Sequence, residues 1–152
     1  MSRRPSRRSG GRPTRARSRV VLDTGVLVSA FAFGGVPAKA VRKACLEADL
    51  FVSPDLLKEY REVPGELAAS GKITPAQYKA LIAGIASVVA SACVVRPRKR
   101  LKICRDPSDD MVVNCCLAAG ADTLVSGDRD LLEIPRTAVR FLIVTPAVFL
   151  KG

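Results

Sequence analysis

RDPSDDMVVNCCLAAGADTLVSGDRDLL, residues 105–132, reads as a helix, a strand and a short second helix in direct succession. Pro107-Ser108 opens the first helix, with Ser108 able to cap it, and Gly120 closes it. Thr123 to Ser126 is a short apolar strand, and Leu131-Leu132 suggests the second helix. Acids crowd both junctions. Asp106, Asp109 and Asp110 stand at the helix start, where the helix dipole favours negative charge. Three acids in five residues exceed what capping requires, and capping the short helix accounts for only one of Asp128 and Asp130.

Working outward, the same alternation continues. Arg19 to Asp23 (RVVLD) is a short buried strand ending in an acid. Gly34-Gly35 breaks the chain before a helix from Val36 to Asp49, and Leu50-Phe51-Val52 is a second strand. Ser53-Pro54 supplies an N-cap and a proline at the first helical position. The helix it starts carries Leu56, Leu57, Tyr60 and Val63 on one face and is expected to stop or kink near Pro64-Gly65. Thr74-Pro75 repeats the start signal, and Tyr78, Leu81, Ile82, Ile85, Val88 and Val89 follow helical spacing. Val94-Val95 leads into a basic loop, and a short strand is expected from Leu101 to Cys104. Phe141 to Val144 is the last strand, ahead of Pro146 to Leu150.

Strands with helices between them predict an α/β fold, a mostly parallel sheet covered on both faces. Ligands of such sheets bind beyond the carboxyl ends of the strands. Asp23 and Asp128 fall at strand ends and Asp109 at a helix start, all on that edge. Glu59 lies roughly 60° around its helix from Leu56, bordering the buried stripe, so it can reach over the same edge.

Composition narrows the chemistry. The 152 residues make one domain of 48% hydrophobic content, with no apolar run long enough to span a membrane. The basic start lacks the apolar stretch of a signal peptide, so a cytoplasmic protein is expected. Five cysteines without C-x-x-C pairing indicate neither a disulfide framework nor a zinc site. Histidine is absent, which removes Ser-His-Asp and Cys-His catalysis and any histidine base.

The net charge of +11 is unevenly spread, because residues 1–19 hold eight arginines and no acid. Rich also in Ser, Gly and Pro, they are expected to form a disordered tail ahead of a domain at 20–152. The tail reads equally as an electrostatic arm for nucleic acid or as an upstream extension without a role.

Carboxylates brought together repel, and a cation relieves the repulsion. Oxygen-only donors suit Mg²⁺ or Mn²⁺, so metal-assisted cleavage of a phosphodiester is the leading expectation. The basic run Arg96, Arg98, Lys99, Arg100 and Lys102 would offset the acids and grip a nucleic acid strand, while Arg129 reads as a phosphate contact or simply as a partner to the acids beside it. A solvated loop is the plainer reading of that run.

With these residues in view, the chain resembles the PIN-domain family, in the branch described as toxins of toxin–antitoxin pairs. The motifs are VVLDTGVLVSA, SPDLLKEYREV, RDPSDDMVVNCCLAAGADTLVSGDRDLL and IVTPAVFL, in shared order from about Val20 to Leu150. The resemblance implies a three-layer α/β/α sandwich and a Mg²⁺- or Mn²⁺-dependent ribonuclease acting on RNA, with an antitoxin partner and a homodimer as further implications. Matched by motif, the acids are Asp23, Glu59, Asp109 and Asp128, with Asp130 a further metal ligand. Asp106 and Asp110 match accessory positions, and Ser126 matches the small hydroxyl residue before the fourth acid. Gly25 departs from the pattern, which has Asn or a similar polar residue two places after the first acid.

Three other readings compete with this one. LDTG also resembles the turn of retroviral-type aspartic proteases, but those are all-β and the helical stretches here argue against them. An aspartyl-phosphate phosphatase needs a second aspartate where Gly25 stands. The strongest competitor is a PIN-fold module that binds RNA or an antitoxin, its chemistry weakened by Gly25.

Overall fold

Val20, Val21 and Leu22 of β1 (Arg19–Leu22) are completely buried, as the middle strand of a sheet covered on both faces must be. The computed structural model describes residues 17–152. Arg3, Arg4, Arg7, Arg8, Arg12 and Arg15 of the expected basic tail lie outside the described residues, and Arg19 is the first residue of β1. The other strands are β2 (Asp49–Val52), β3 (Ala92–Val94), β4 (Thr123–Val125) and β5 (Leu142–Val144). Their order is β3-β2-β1-β4-β5 and every pairing is parallel.

The helices are α1 (Thr24–Val28), α2 (Gly35–Glu47), α3 (Pro54–Ala69), α4 (Pro75–Ala90), α5 (Pro107–Ala119), α6 (Arg129–Leu132) and α7 (Pro146–Lys151). From β1 the chain steps outward to β2 and β3, then crosses back to β4 and on to β5. Right-handed crossovers therefore put α1 to α4 on one face and α5 and α6 on the other. The α7 helix packs against α2 and β5. The result is the expected three-layer α/β/α sandwich, with a wholly parallel sheet. Among the described residues no single helix is long and apolar enough to cross a membrane.

One helical stretch went unread, and three local expectations need correction. Residues 24–33 are helical: α1 runs into a π-helical turn, Ser29–Phe33, which meets α2 at 115°. Gly34 and Gly35 turn that corner with φ of 80° and 73°, a region that disfavours residues with a Cβ. The α3 helix does not stop at Pro64, because Pro64 continues the buried Leu56–Tyr60 stripe at a spacing of four. Core burial there offsets the missing N–H. Leu101 to Cys104 is no strand, since side chains of α5 take its backbone groups instead of a sheet neighbour. Finally, Asp106 rather than Ser108 caps α5, because the residue before a proline at the first helical position is the cap.

Gly84 of α4 faces the ring of Phe31 so closely that a β-carbon there would overlap the ring atoms. That contact fixes α4 against the π-helical turn. Gly84→Ala should cost about 1–3 kcal/mol through forced repacking despite alanine's better helix propensity, read from denaturant midpoints. An unchanged or raised midpoint would show that the ring moves aside freely.

Candidate active site

The site lies where the chain's direction across the sheet reverses, between the carboxyl ends of β1 and β4. Asp23 follows β1 directly, with its N–H bonded to the Val125 carbonyl at 3.0 Å. Ser126 follows β4 and is completely buried. Its Oγ donates to Asp23 Oδ2 at 2.7 Å and accepts from the Asp128 N–H at 3.0 Å. One hydroxyl thus ties two acids to two strands. Asp23 Oδ1 also accepts from Thr24 N at 2.9 Å, capping α1.

Asp109, in the first turn of α5, is buried. Oxygens of Asp109, Asp128 and Asp130 lie within 4.8 Å of one another. Asp128 caps α6 by accepting from the Asp130 N–H at 2.9 Å. Burial pushes the Asp109 carboxyl up to about 7, with the Asp128 charge and a hydrogen bond to Asp128 adding to the effect. Asp106 and Asp23 contribute further repulsion. Asp23 itself is raised by burial and by Asp128, against the hydrogen bonds from Ser126 and Thr24.

Glu59 approaches from α3. Its Oε1 accepts from the buried Thr24 hydroxyl at 2.6 Å. Burial raises its carboxyl, the Thr24 bond opposes that, and the charges of Asp23, Asp106 and Glu66 add to it. Next to it, the buried Tyr60 hydroxyl donates to the Leu22 carbonyl at 2.5 Å, fastening α3 to the end of β1. Asp23, Glu59, Asp109, Asp128 and Asp130 thus form one electrostatic neighbourhood.

Other residues singled out from the sequence stand differently. Asp106 is exposed and caps α5, with Oδ1 accepting from Ser108 N. Asp110 turns its Oδ1 to the Ile103 and Cys104 N–H groups at 2.7 and 2.6 Å. The Cys104 N–H is the main reason its carboxyl sits below the usual range. Arg100 pairs with Asp55 at 2.6 Å, while Arg96, Arg98 and Lys99 line a groove beside the far half of α5. Arg129 is exposed between Asp128 and Asp130.

Thr24 and Tyr60 were not singled out. Tyr60 was legible only as part of an apolar stripe, although a buried phenol needs a partner for its hydroxyl. The site chemistry fits a hard divalent cation. The donors are all oxygen, the Asp109 carboxyl is pushed up by its burial and then by its acidic neighbours, and Asp109, Asp128 and Asp130 make no ion pair among the described residues.

A model of the PIN domain matches residues 19–130, and the chain belongs to the PIN-domain family. Two solved structures share the fold. One is PAE2754 from Pyrobaculum aerophilum, at 14% identity and a TM-score of 0.56 over 88% of each chain. The other is VapBC2 from Rickettsia felis, bound to a DNA fragment from its promoter, at 12% identity and a TM-score of 0.53. It matches over 83% of this chain and 96% of that one. No curated protein matches the chain in sequence.

An acid whose carboxyl is raised on folding makes the folded state hold its proton longer than the unfolded one. Without metal, stability should therefore fall as pH rises from about 4 towards about 7, the window between the ordinary Asp109 value and its folded one. Asp109→Asn keeps a donor towards Asp128 and removes the charge. In chelator, the variant should melt higher than the parent near neutral pH, with the gap closing towards pH of about 4. A gap independent of pH would mean that folding does not raise the Asp109 carboxyl.

Proposed function

We propose that this PIN-domain protein is a metal-dependent ribonuclease that hydrolyses RNA phosphodiester bonds, acting as the toxin of a toxin–antitoxin pair. The observation that carries the reading is the convergence of buried Asp109 with Asp128 and Asp130 beside Asp23 and Glu59. Such a cluster is unfavourable for stability and suited to a divalent cation. Asp23, Glu59, Asp109, Asp128 and Asp130 would hold Mg²⁺ or Mn²⁺. When bound, that ion supplies Lewis acidity towards the phosphodiester and its attacking water.

The protein groups divide the remaining work. Ser126 keeps Asp23 and Asp128 in fixed relation, so the carboxylates need little reorganisation when substrate arrives. Thr24 orients Glu59, whose raised carboxyl suits it to accept a proton from water. Arg129 stands next to the cluster as a phosphate contact, and the basic run after β3 adds further ones. The likeness of the fold to VapBC2 supports an antitoxin partner, and a cytoplasmic homodimer completes the proposal.

Gly25 favours a second reading, a module that binds RNA or an antitoxin with little cleavage. It is exposed in the first turn of α1, and a β-carbon there would meet nothing within 4 Å. Incubation of the protein with a panel of RNAs in Mn²⁺, and then in chelator, separates the two. Metal-dependent cleavage lost in Asp109→Asn, by about a hundredfold or more, supports the enzyme. Salt-sensitive binding without cleavage supports the module. Because the space at position 25 is open, Gly25→Asn should fold normally and raise the cleavage rate. A lower rate would show that the glycine serves this site as it stands.

A further inference from the structure

The segment between β3 and α5 is clamped at several points. Val95 N–H bonds to the Val52 carbonyl at 2.8 Å, continuing the β3 pairing. Asn114 grips Leu101 with both ends of its amide, donating to the carbonyl and accepting from the N–H at 3.0 Å each. Asp110 holds the Ile103 and Cys104 N–H groups, and Arg100 pairs with Asp55. Asp110 and Asn114 are four residues apart, hence on one face of α5. The loop therefore runs antiparallel to the helix, with residue 104 near the acid cluster and residue 101 a turn further on.

Beyond that clamp, Arg96, Arg98, Lys99, Leu101 and Leu117 line an open groove of about 310 Å³. Its middle lies some five to eight residues along α5 from Asp109, about 8–12 Å at the helical rise. Arg96, Arg98, Lys99 and Lys102 have no ion pair among the described residues. Exposed Leu101 and Ile103 interleave with them. Cations held on a fixed backbone, alternating with apolar side chains, complement a single strand that presents phosphates and bases in turn.

We infer that this groove is a second RNA contact, a track that carries single-stranded substrate away from the acid cluster along α5. The inference rests on the ribonuclease reading for its occupant and goes beyond it in assigning the strand's path. Asp110 and Asn114 act as positioning residues that hold the track to the helix.

The test uses the full chain in chelator, where binding is read without cleavage. Fluorescence anisotropy compares labelled oligouridylate with UpU, which is too short to span both contacts. Replacing Arg96, Arg98 and Lys99 with Gln should shrink the affinity gain of the long chain over UpU roughly tenfold and flatten its salt dependence by about two. A control replacing Lys39, Arg42 and Lys79 with Gln removes equal charge elsewhere and should leave the gain nearly intact. Equal loss in both variants, or no loss in the first, overturns the track. Equally tight capture of polyglutamate overturns RNA as its occupant. The outcomes for the two proposals separate. A protein that binds by this groove yet cuts nothing in Mn²⁺ keeps the track and loses the nuclease, whereas cleavage with an unchanged length dependence does the reverse.

Discussion

Two neighbouring strands, β1 and β4, lead the chain in opposite directions across the sheet, and their ends are joined through the hydroxyl of Ser126. That hydroxyl bonds the carboxylate of one acid and the backbone of another. It works because Ser126 is completely buried, where a hydrogen bond meets no competition from water. The positions of Asp23 and Asp128 follow from it. Asp109 reaches the same place because the crossover from β3 to β4 must bring the start of α5 to the carboxyl edge.

The gathering of acids is opposed by their own charge, and the fold overcomes this by distributing the support. The apolar core anchors β1 and β4 through Val20, Val21, Leu22, Leu124 and Val125, all essentially without exposure. Thr24 and Tyr60 link α3 to the end of β1, so Glu59 comes up beside Asp23. Burial and the repulsion that remains together raise Asp109, the least exposed acid of the group. A site that resists its own negative charge is poised for a positive ligand, which is the physical basis of the functional proposal.

Basic and acidic features share one helix. The first turn of α5 carries Asp109, and the face bearing Asp110 and Asn114 fixes the loop that displays Arg96, Arg98 and Lys99. Asp110 illustrates how adjacent acids diverge. Asp109 and Asp110 are indistinguishable as neighbours in sequence, yet a 100° step around the helix turns one to the acid cluster and the other to a backbone clamp.

From the sequence alone came the alternation of strands and helices, the parallel sheet and the edge at which the acids fall, because apolar period and capping residues are local signals, although α1 and β3 went unread. Pro54, Thr74-Pro75 and Gly120 marked helix ends correctly for that reason. Pro64 did not, since its local cost is outweighed by burial on a stripe that only packing reveals. The segment Leu101 to Cys104 resembled a strand, but its hydrogen bonds go to the Asp110 and Asn114 side chains of α5 and not to a neighbouring strand. Tertiary structure alone decided that Ser126 joins two acids, that Thr24 holds Glu59, and that Asp109 is the least exposed acid. Each depends on contacts between residues far apart in the chain, whose distances no local pattern encodes.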